Sequence, residues 1–460
     1  MEKVKEVIWG MPTLCMLLGT GIYLTWLLRG LTIKKLPLAI RMSIGHKEKL
    51  GSEKEKGISS TSSLATELAA TIGTGNIIGV ACAMTMGGPG ALFWMMMAAI
   101  LGLATKLVES TLSVKYRIKS GEGLPLGGPM VTLARAFPLP RLGKILGWLY
   151  AMLCVLCSMG MGNLVQANAI GGCVQGTFGI VPLWTGMVLS AVTIFIIIGG
   201  LRGVTKVTNL LVPAMGALYL AGCLGVIMTN YSRILPCLKD VLISAFFPKA
   251  FGGGMVGILS GRLFTCMRQG ISRGVFSNEA GMGAGGISAA ASKESSHVKQ
   301  GLISMTGVFY DTILICGITG LAFVVSGVAN QASSHGLFLR NGNLVTPHDG
   351  AGMMAAAFEG TYGRYGNVLL TICIVLFAYA TIIGWEAQGE RAFTFLTNGR
   401  WLRGYRTVYA ILTLFGAVMA SSIVWDFADV VNGLMIWPNL ICVLALAPGV
   451  CAEIRNYKFS

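Results

Sequence analysis

The sequence predicts an all-α polytopic membrane protein of about eleven transmembrane helices, with one extra N-terminal helix ahead of two five-helix halves of opposite orientation. Three observations lead there. Of the 460 residues, 54% are hydrophobic and only 12% charged, with a mean hydropathy of +0.70. A soluble chain carries roughly 25% charged residues, so this one cannot cover a water-exposed surface. Its apolar residues run continuously for about 20 positions at a time, whereas an outer-membrane barrel would alternate over segments of about ten. Finally, glycines and polar side chains interrupt the first run of each half, the mark of a binding site between inverted repeats.

The spans, in chain order, fall near 8–28, 62–86, 91–112, 142–165, 184–200, 208–229, 258–292, 302–327, 366–387, 405–422 and 431–451. The fifth is short, and the seventh is too long for one straight helix. The opening MEKVKEVIWG has no cleavage-site pattern, so the first run reads as retained. The net charge of +16 reads as a topology signal rather than a nucleic-acid surface. With the N-terminus outside, the inward segments hold 24 Lys and Arg, eight of them in 29–57, and the outward segments hold seven. The C-terminus is then cytoplasmic. The expected divisions are 1–57 (extra helix and basic cytoplasmic loop), 58–230 and 252–452 (the two repeats), and 453–460 (a short cytoplasmic tail). The twelve cysteines lie mostly within apolar runs, so Cys154 and Cys157 read as packing residues rather than a redox or metal pair.

The first break is Thr71-Ile-Gly-Thr-Gly-Asn76, and its counterpart is Phe276-Ser-Asn-Glu-Ala-Gly-Met-Gly283. Such residues are costly at membrane depth unless the backbone unwinds beside a cavity. An unwound Gly73-Thr74-Gly75 frees amides that, with the positive end of the following half-helix, suit a carboxylate. Freed carbonyls suit Na⁺. The small residues alone would read as close helix packing; Thr71, Thr74, Asn76 and the matching second break argue for a site. Glu279 reads either as a functional group, for ion coupling or in a bond network shaping the site, or as half of a structural salt bridge, with Arg273 on the same helix as a candidate partner. Lys106 with Glu109 one turn away, and Asp311, read chiefly as ion pairs that orient helices. Gln166 has a polar side chain that could reach a substrate, and Asn168 reads as a cap. Trp385 reads as a cavity wall or an interface residue. The 328–352 stretch is a polar outward loop. No P-loop, zincin helix or nucleophile elbow is present, so an ATP-driven pump or a membrane enzyme has no support.

Several of these stretches resemble the alanine or glycine:cation symporter family. They are Thr71-Ile-Gly-Thr-Gly-Asn-Ile-Ile-Gly79, Gly87-Gly-Pro-Gly-Ala-Leu-Phe-Trp94, Gly127-Gly-Pro-Met130 and Arg273-Gly-Val-Phe-Ser-Asn-Glu-Ala-Gly-Met-Gly283. Lys299-Gln-Gly-Leu302, Gly307-Val-Phe-Tyr-Asp-Thr312 and Gly384-Trp385 extend the likeness to nearly the whole chain. The resemblance implies a leucine-transporter-like fold and Na⁺-coupled uptake of alanine or glycine by alternating access in a prokaryotic inner membrane. On this reading Gly73, Thr74, Gly75 and Asn76 form the substrate seat with Phe276, Ser277, Asn278, Gln166 and Trp385. The amides of Thr74 and Gly75 hold the carboxylate, and Phe276, Ser277 and Asn278 face the amino group. Ala69, Ile72 and Thr381 supply oxygens to Na⁺. The resemblance implies no cofactor beyond that coupling ion. The partners are a small amino acid, Na⁺ and the lipid bilayer, with no nucleic acid, and no residue pattern speaks to oligomeric state. Three positions depart from the family pattern: Met96 ends the run that begins at Phe93, Glu67 stands where a small residue is expected, and Gly283-Ala-Gly-Gly286 replaces Gly-Ser-Ala-Pro.

Overall fold

The computed structural model describes residues 4, 7–45, 57–119, 125–247, 255–328, 338–340, 343–345 and 349–458. Helix α1 (Met11–Leu27) starts with a proline in its first turn, where a missing N–H costs nothing. Arg29 and Gly30 then take left-handed backbone angles, and α2 (Leu31–Gly45) runs at 85° to α1. Part of the expected basic loop is therefore helical; its 46–56 portion lies outside the described residues.

Helix α3 (Ser60–Thr71) is capped by the Ser59 hydroxyl, which accepts from the Ser62 amide, and it stops where Ile72 turns extended. After Gly73 and Thr74 the chain resumes as a wide π-helical turn (Gly75–Gly79) and continues as α4 (Val80–Gly87), bent 54° from α3. Next come α5 (Ala91–Lys115), a short antiparallel pair of β1 (Ile118–Lys119) and β2 (Pro125–Leu126), and α6 (Pro129–Ala136). Helix α7 (Pro140–Met159) passes through a second π segment (Gly160–Leu164) into α8 (Val165–Phe178). The first half closes with α9 (Pro182–Ile197) and α10 (Gly200–Thr229). A further helix, α11 (Ile234–Phe246), has no counterpart among the expected spans.

Helix α12 (Met255–Asn278) ends where Glu279, Gly281 and Gly283 all adopt positive φ, and α13 (Ala284–Ala290) resumes beyond them. Glycine tolerates this conformation; Glu279, at φ +57°, is held there by its surroundings. Helix α14 (His297–Val308) runs through a third π segment (Phe309–Cys316) into α15 (Gly317–Val325). Strands β3 (Phe338–Arg340) and β4 (Asn343–Val345) pair within the expected polar loop, most of which lies outside the described residues. Then follow α16 (Gly350–Tyr362), α17 (Arg364–Thr397), α18 (Leu402–Val418) and α19 (Ser421–Asn456).

Among the described residues, six helical segments are long and apolar enough to cross a membrane, or eight if each bent pair is one span. The chain is helical at the other three expected spans too. However, α9 has only 16 residues and α18 only 17, and α12 carries Arg262, Arg268 and Arg273. The two interrupted elements, α3–α4 and α12–α13, pack against each other, with α5 along one flank and α17 along another. Both breaks thus lie in the middle of the bundle.

Candidate substrate and ion site

At the first break the helical hydrogen-bond ladder is replaced by side chains. The Gly73 amide donates to Asn76 Oδ1 at 2.8 Å, and the Thr74 amide to Gln166 Oε1 at 3.1 Å. Gln166 is held in turn by its Nε2, which donates to the Met161 carbonyl inside the second π segment. The Gly75 amide has no acceptor among the described residues. It stands at the start of a half-helix, where an anion is favoured. A Cβ on Gly75 would meet Phe276 Cδ1 at 3.2 Å, so the two breaks face one another directly.

Asp311 joins them. Its Oδ1 accepts from Asn76 Nδ2 at 2.6 Å, and its Oδ2 accepts from Ser277 Oγ at 2.7 Å and from Thr312 Oγ1 at 2.6 Å. Asn278 Nδ2 donates to Thr312 Oγ1 at 3.0 Å, and Asn278 Oδ1 accepts from the Ala280 amide. The expectation of an ion pair for Asp311 is therefore corrected. Its partners are three neutral donors, two of them from the breaks themselves. Its signal in the sequence was an acidic residue at membrane depth, while Asn76 and Ser277 each needed an acceptor.

Of the expected oxygen ligands, Thr381 and Ile72 are in contact. Thr381 Oγ1, on α17, has two acceptors within reach of its one proton, the Ile72 carbonyl at 3.2 Å and the Phe377 carbonyl at 3.1 Å. A Cβ on Gly73 would collide with the Thr381 hydroxyl, and one on Gly384 would lie 2.9 Å from the Ala69 carbonyl carbon. Thr381 thus meets the Ile72 carbonyl where α3 ends, and α17 packs closely on Ala69 and Ala70 at Gly384. An alkali cation there could take the Ile72 carbonyl and the Thr381 hydroxyl as hard oxygen ligands.

Trp385 is fully buried, its ring packed on Gly162 of the second π segment. Phe276 stacks on Trp425, with centroids 5.6 Å apart and planes at 21°. Arg273 lies over both rings and grips Asp429 through two nitrogens, at 3.2 and 3.1 Å. Arg273 therefore does not pair with Glu279, which corrects that alternative. Trp425, Arg273 and Asp429 line a cavity of about 930 Å³, which reaches Ile78, Asn168 and Gly350. Phe276 lies behind them, against Gly75. Asn168 donates to the Gly416 and Met419 carbonyls, the cap role expected of it. Nothing in the sequence pointed to Trp425 or Asp429, since their roles depend on contacts with a distant helix.

A polar cluster fills the far side of the second break. Lys106 Nζ lies 3.0 Å from Glu67 Oε1 and donates to the Asn278 carbonyl at 3.3 Å. The expected Lys106–Glu109 pair is not formed. Glu109 Oε1 instead accepts from the Gly281 amide at 2.9 Å and from Asn439 Nδ2 at 2.5 Å. Two departures from the family pattern meet here, because a Cβ on Gly285 would come within 2.6 Å of Glu67 Oε1 and would also strike Lys106 Nζ. The larger side chain at 67 occupies space that the glycine at 285 leaves open.

The sodium:alanine symporter family matches residues 1–460. The sodium/alanine symporter AgcS of Methanococcus maripaludis is 39% identical over 457 residues, which span 99% of this chain and 96% of that one. The probable sodium/glutamine symporter GlnT of Bacillus subtilis is 33% identical over 458 residues, 98% of this chain and 89% of its own. Among solved structures, a Na⁺-coupled sialic acid symporter superposes with a TM-score of 0.57 at 14% identity, covering 93% of this chain and 86% of that one. That likeness shows a leucine-transporter-like fold. This multi-pass, all-helical chain is a transporter rather than an enzyme, and it belongs to the sodium:alanine symporter family.

Proposed function

We propose that the protein carries alanine or glycine into a prokaryotic cell together with Na⁺, by alternating access between two inverted five-helix repeats, 58–230 and 252–452. The observation that carries this reading is the meeting of the two breaks. The unpaired Gly75 amide faces Phe276, and Asp311 ties Asn76 to Ser277. The substrate carboxylate lies against the Gly75 amide. It gains the Thr74 amide when Gln166 Oε1 gives way, since that oxygen now occupies the donor a carboxylate would use. Phe276, Ser277 and Asn278 face the amino group, and Gly73, Asn76, Gln166 and Trp385 complete a space suited to a small side chain. Na⁺ takes the carbonyls of Ala69 and Ile72 and the Thr381 hydroxyl, displacing the bond that joins Thr381 to Ile72. The basic bias supports an orientation with the N-terminus outside and the C-terminus in the cytoplasm.

A second reading keeps alternating access and changes the cargo to serine, D-alanine or glutamine, or the coupling ion to H⁺; the relatives named a sodium/glutamine symporter and a sodium/proton-dependent alanine carrier support these alternatives. Uptake of labelled alanine, glycine, serine and glutamine into proteoliposomes, under an inward Na⁺ gradient, separates the cargoes. Accumulation of glutamine in preference to alanine would overturn the alanine/glycine assignment.

A further inference from the structure

Helices α1 and α19 end side by side, and an arginine stands at each end. A cavity of about 720 Å³ opens there, lined by Arg29 and Arg455 together with Ile22 and Trp26 of α1 and Leu101 of α5. Ile22, Trp26 and Arg29 follow one another at helical spacing, so an apolar wall leads to a charged end. Ile22 and Trp26 are 57% and 72% exposed, on the outside of the bundle. No lining side chain is acidic, and the hydroxyl of Thr25 spends its proton on the Gly21 carbonyl at 2.7 Å. Both arginines are exposed, and neither guanidinium has an ion-pair or hydrogen-bond partner among the described residues. Glu453, the acid nearest Arg455 in sequence, is engaged by Lys115 and His297. Two cations thus share one slot without a counter-charge.

The backbone sets this corner at the edge of the bilayer. Arg29 takes φ +53° and Gly30 φ +68°, and α2 leaves at 85° to α1. A helix nearly perpendicular to a spanning helix runs along the membrane surface. Helix α2 suits that place: Ile33, Pro37 and Ile44 form one exposed stripe, with exposed Lys34 and Arg41 beside it. Trp26 stacks on Tyr23, with ring centroids 6.4 Å apart, as aromatic residues do at headgroup level. An outward-facing apolar wall below two unpaired guanidinium groups matches a ligand with a hydrocarbon chain and a phosphate at its end. A free phosphate would leave the apolar wall unused. A zwitterionic lipid would bring its own cation beside Arg29, Arg455, Lys34 and Arg41. Basic pockets between spanning helices recognise anionic headgroups in this way.

We propose that Arg29 and Arg455 bind the phosphate of one anionic phospholipid, whose acyl chain lies along Ile22, Trp26 and Leu101. The lipid ties the end of the extra N-terminal helix to the end of the last helix, on which α1 already packs. Oriented as the basic bias indicates, the site draws on the cytoplasmic leaflet. It requires only that the chain span a membrane, whichever amino acid or ion it carries.

The test is native mass spectrometry of the purified, delipidated full-length protein, titrated in detergent with dioleoylphosphatidylglycerol and, separately, with dioleoylphosphatidylcholine. The parent should retain one phosphatidylglycerol per chain in preference to phosphatidylcholine. An arginine near a bilayer surface is worth about fivefold in affinity, so the double variant Arg29→Gln/Arg455→Gln should bind phosphatidylglycerol about thirtyfold more weakly. Arg29→Lys/Arg455→Lys, which keeps both charges, should recover most of that loss. Arg141→Gln/Lys144→Gln removes two exposed charges from the start of α7 and should bind as the parent does. If the double glutamine variant does not fold, Arg455→Gln alone should still lose about fivefold. Equal affinity for the two lipids, parent-like affinity in the glutamine variants, or an equal loss in the α7 variant would overturn the proposal. So would inorganic phosphate raising the melting temperature as far as phosphatidylglycerol does, which would mark an anion site without a lipid. A lipid-free dimer abolished by Arg29→Gln/Arg455→Gln would give the slot to a second copy of the chain, and would overturn it equally.

Discussion

Asp311→Asn alters a carboxylate on which both breaks converge, beside the Cys316 thiol that also reaches Asn76 and Ser277. The carboxylate accepts from Asn76, Ser277 and Thr312 at 2.6–2.7 Å. An asparagine has one acceptor oxygen and a donating NH₂ in place of the second. If the oxygen stays on Asn76, the hydroxyls of Ser277 and Thr312 must turn to accept, although Thr312 already accepts from Asn278. If it stays on the hydroxyls, two NH₂ groups oppose each other. Exchanging a charge-assisted bond for a neutral one loses about 1 kcal/mol. Over the three bonds this comes to about 3 kcal/mol, or roughly a hundred-fold in an equilibrium constant. Asp311 sits outside the seat itself, so the loss falls on its preorganisation. Equilibrium binding of labelled alanine to purified protein should weaken by one to two orders of magnitude, with a lower melting temperature. Binding within about twofold of the parent would refute the claim that Asp311 holds the two breaks in register.

Three further outcomes follow from the same geometry. Gly75→Ala places a methyl 3.2 Å from Phe276 over the unpaired amide; alanine binding should fall beyond detection in a folded, inserted protein, while Thr74→Ser stays mild, and normal affinity in Gly75→Ala would show that the carboxylate is held elsewhere. Gly285→Ala drives a methyl into the Glu67–Lys106 pair and should destabilise the purified protein by about 3 kcal/mol, seen as a lower melting temperature; an unchanged melt would deny the pair its place. Cysteines introduced at Ser52 and Ser334 should react with an impermeant thiol reagent from opposite sides of the membrane, measured against the parent's own cysteines; reaction of both from outside intact cells would overturn the orientation and the inverted repeat with it.

The breaks that frame the candidate site were legible because their signals are local. Gly73, Gly75 and the polar residues between them announce unwound backbone at membrane depth, and the structure breaks the helices there. What stayed hidden depends on partners far along the chain. Asn76 and Asp311 lie 235 positions apart, and Arg273 and Asp429 lie 156 apart. No pattern within a single span specifies either pair. Lys106 and Glu109 were an attractive couple on one helix face, yet the Gly281 amide freed by the second break and the Asn439 side chain take Glu109, and Lys106 pairs with Glu67. Short α9 and the arginine-bearing α12 show why a length rule and a topology argument count spans differently.

The most direct test of Na⁺-coupled symport is concentrative uptake of alanine by the purified protein in proteoliposomes, with and without an inward Na⁺ gradient, for the parent and for Thr381→Ala. The parent should accumulate alanine only when Na⁺ is present outside. Thr381→Ala removes one hard ligand from a site with few oxygens and should raise the Na⁺ concentration for half-maximal uptake roughly tenfold, the effect of about 1.4 kcal/mol, with expression little changed. Accumulation by the parent without Na⁺, or a Thr381→Ala variant with the parent's Na⁺ dependence, would contradict the account.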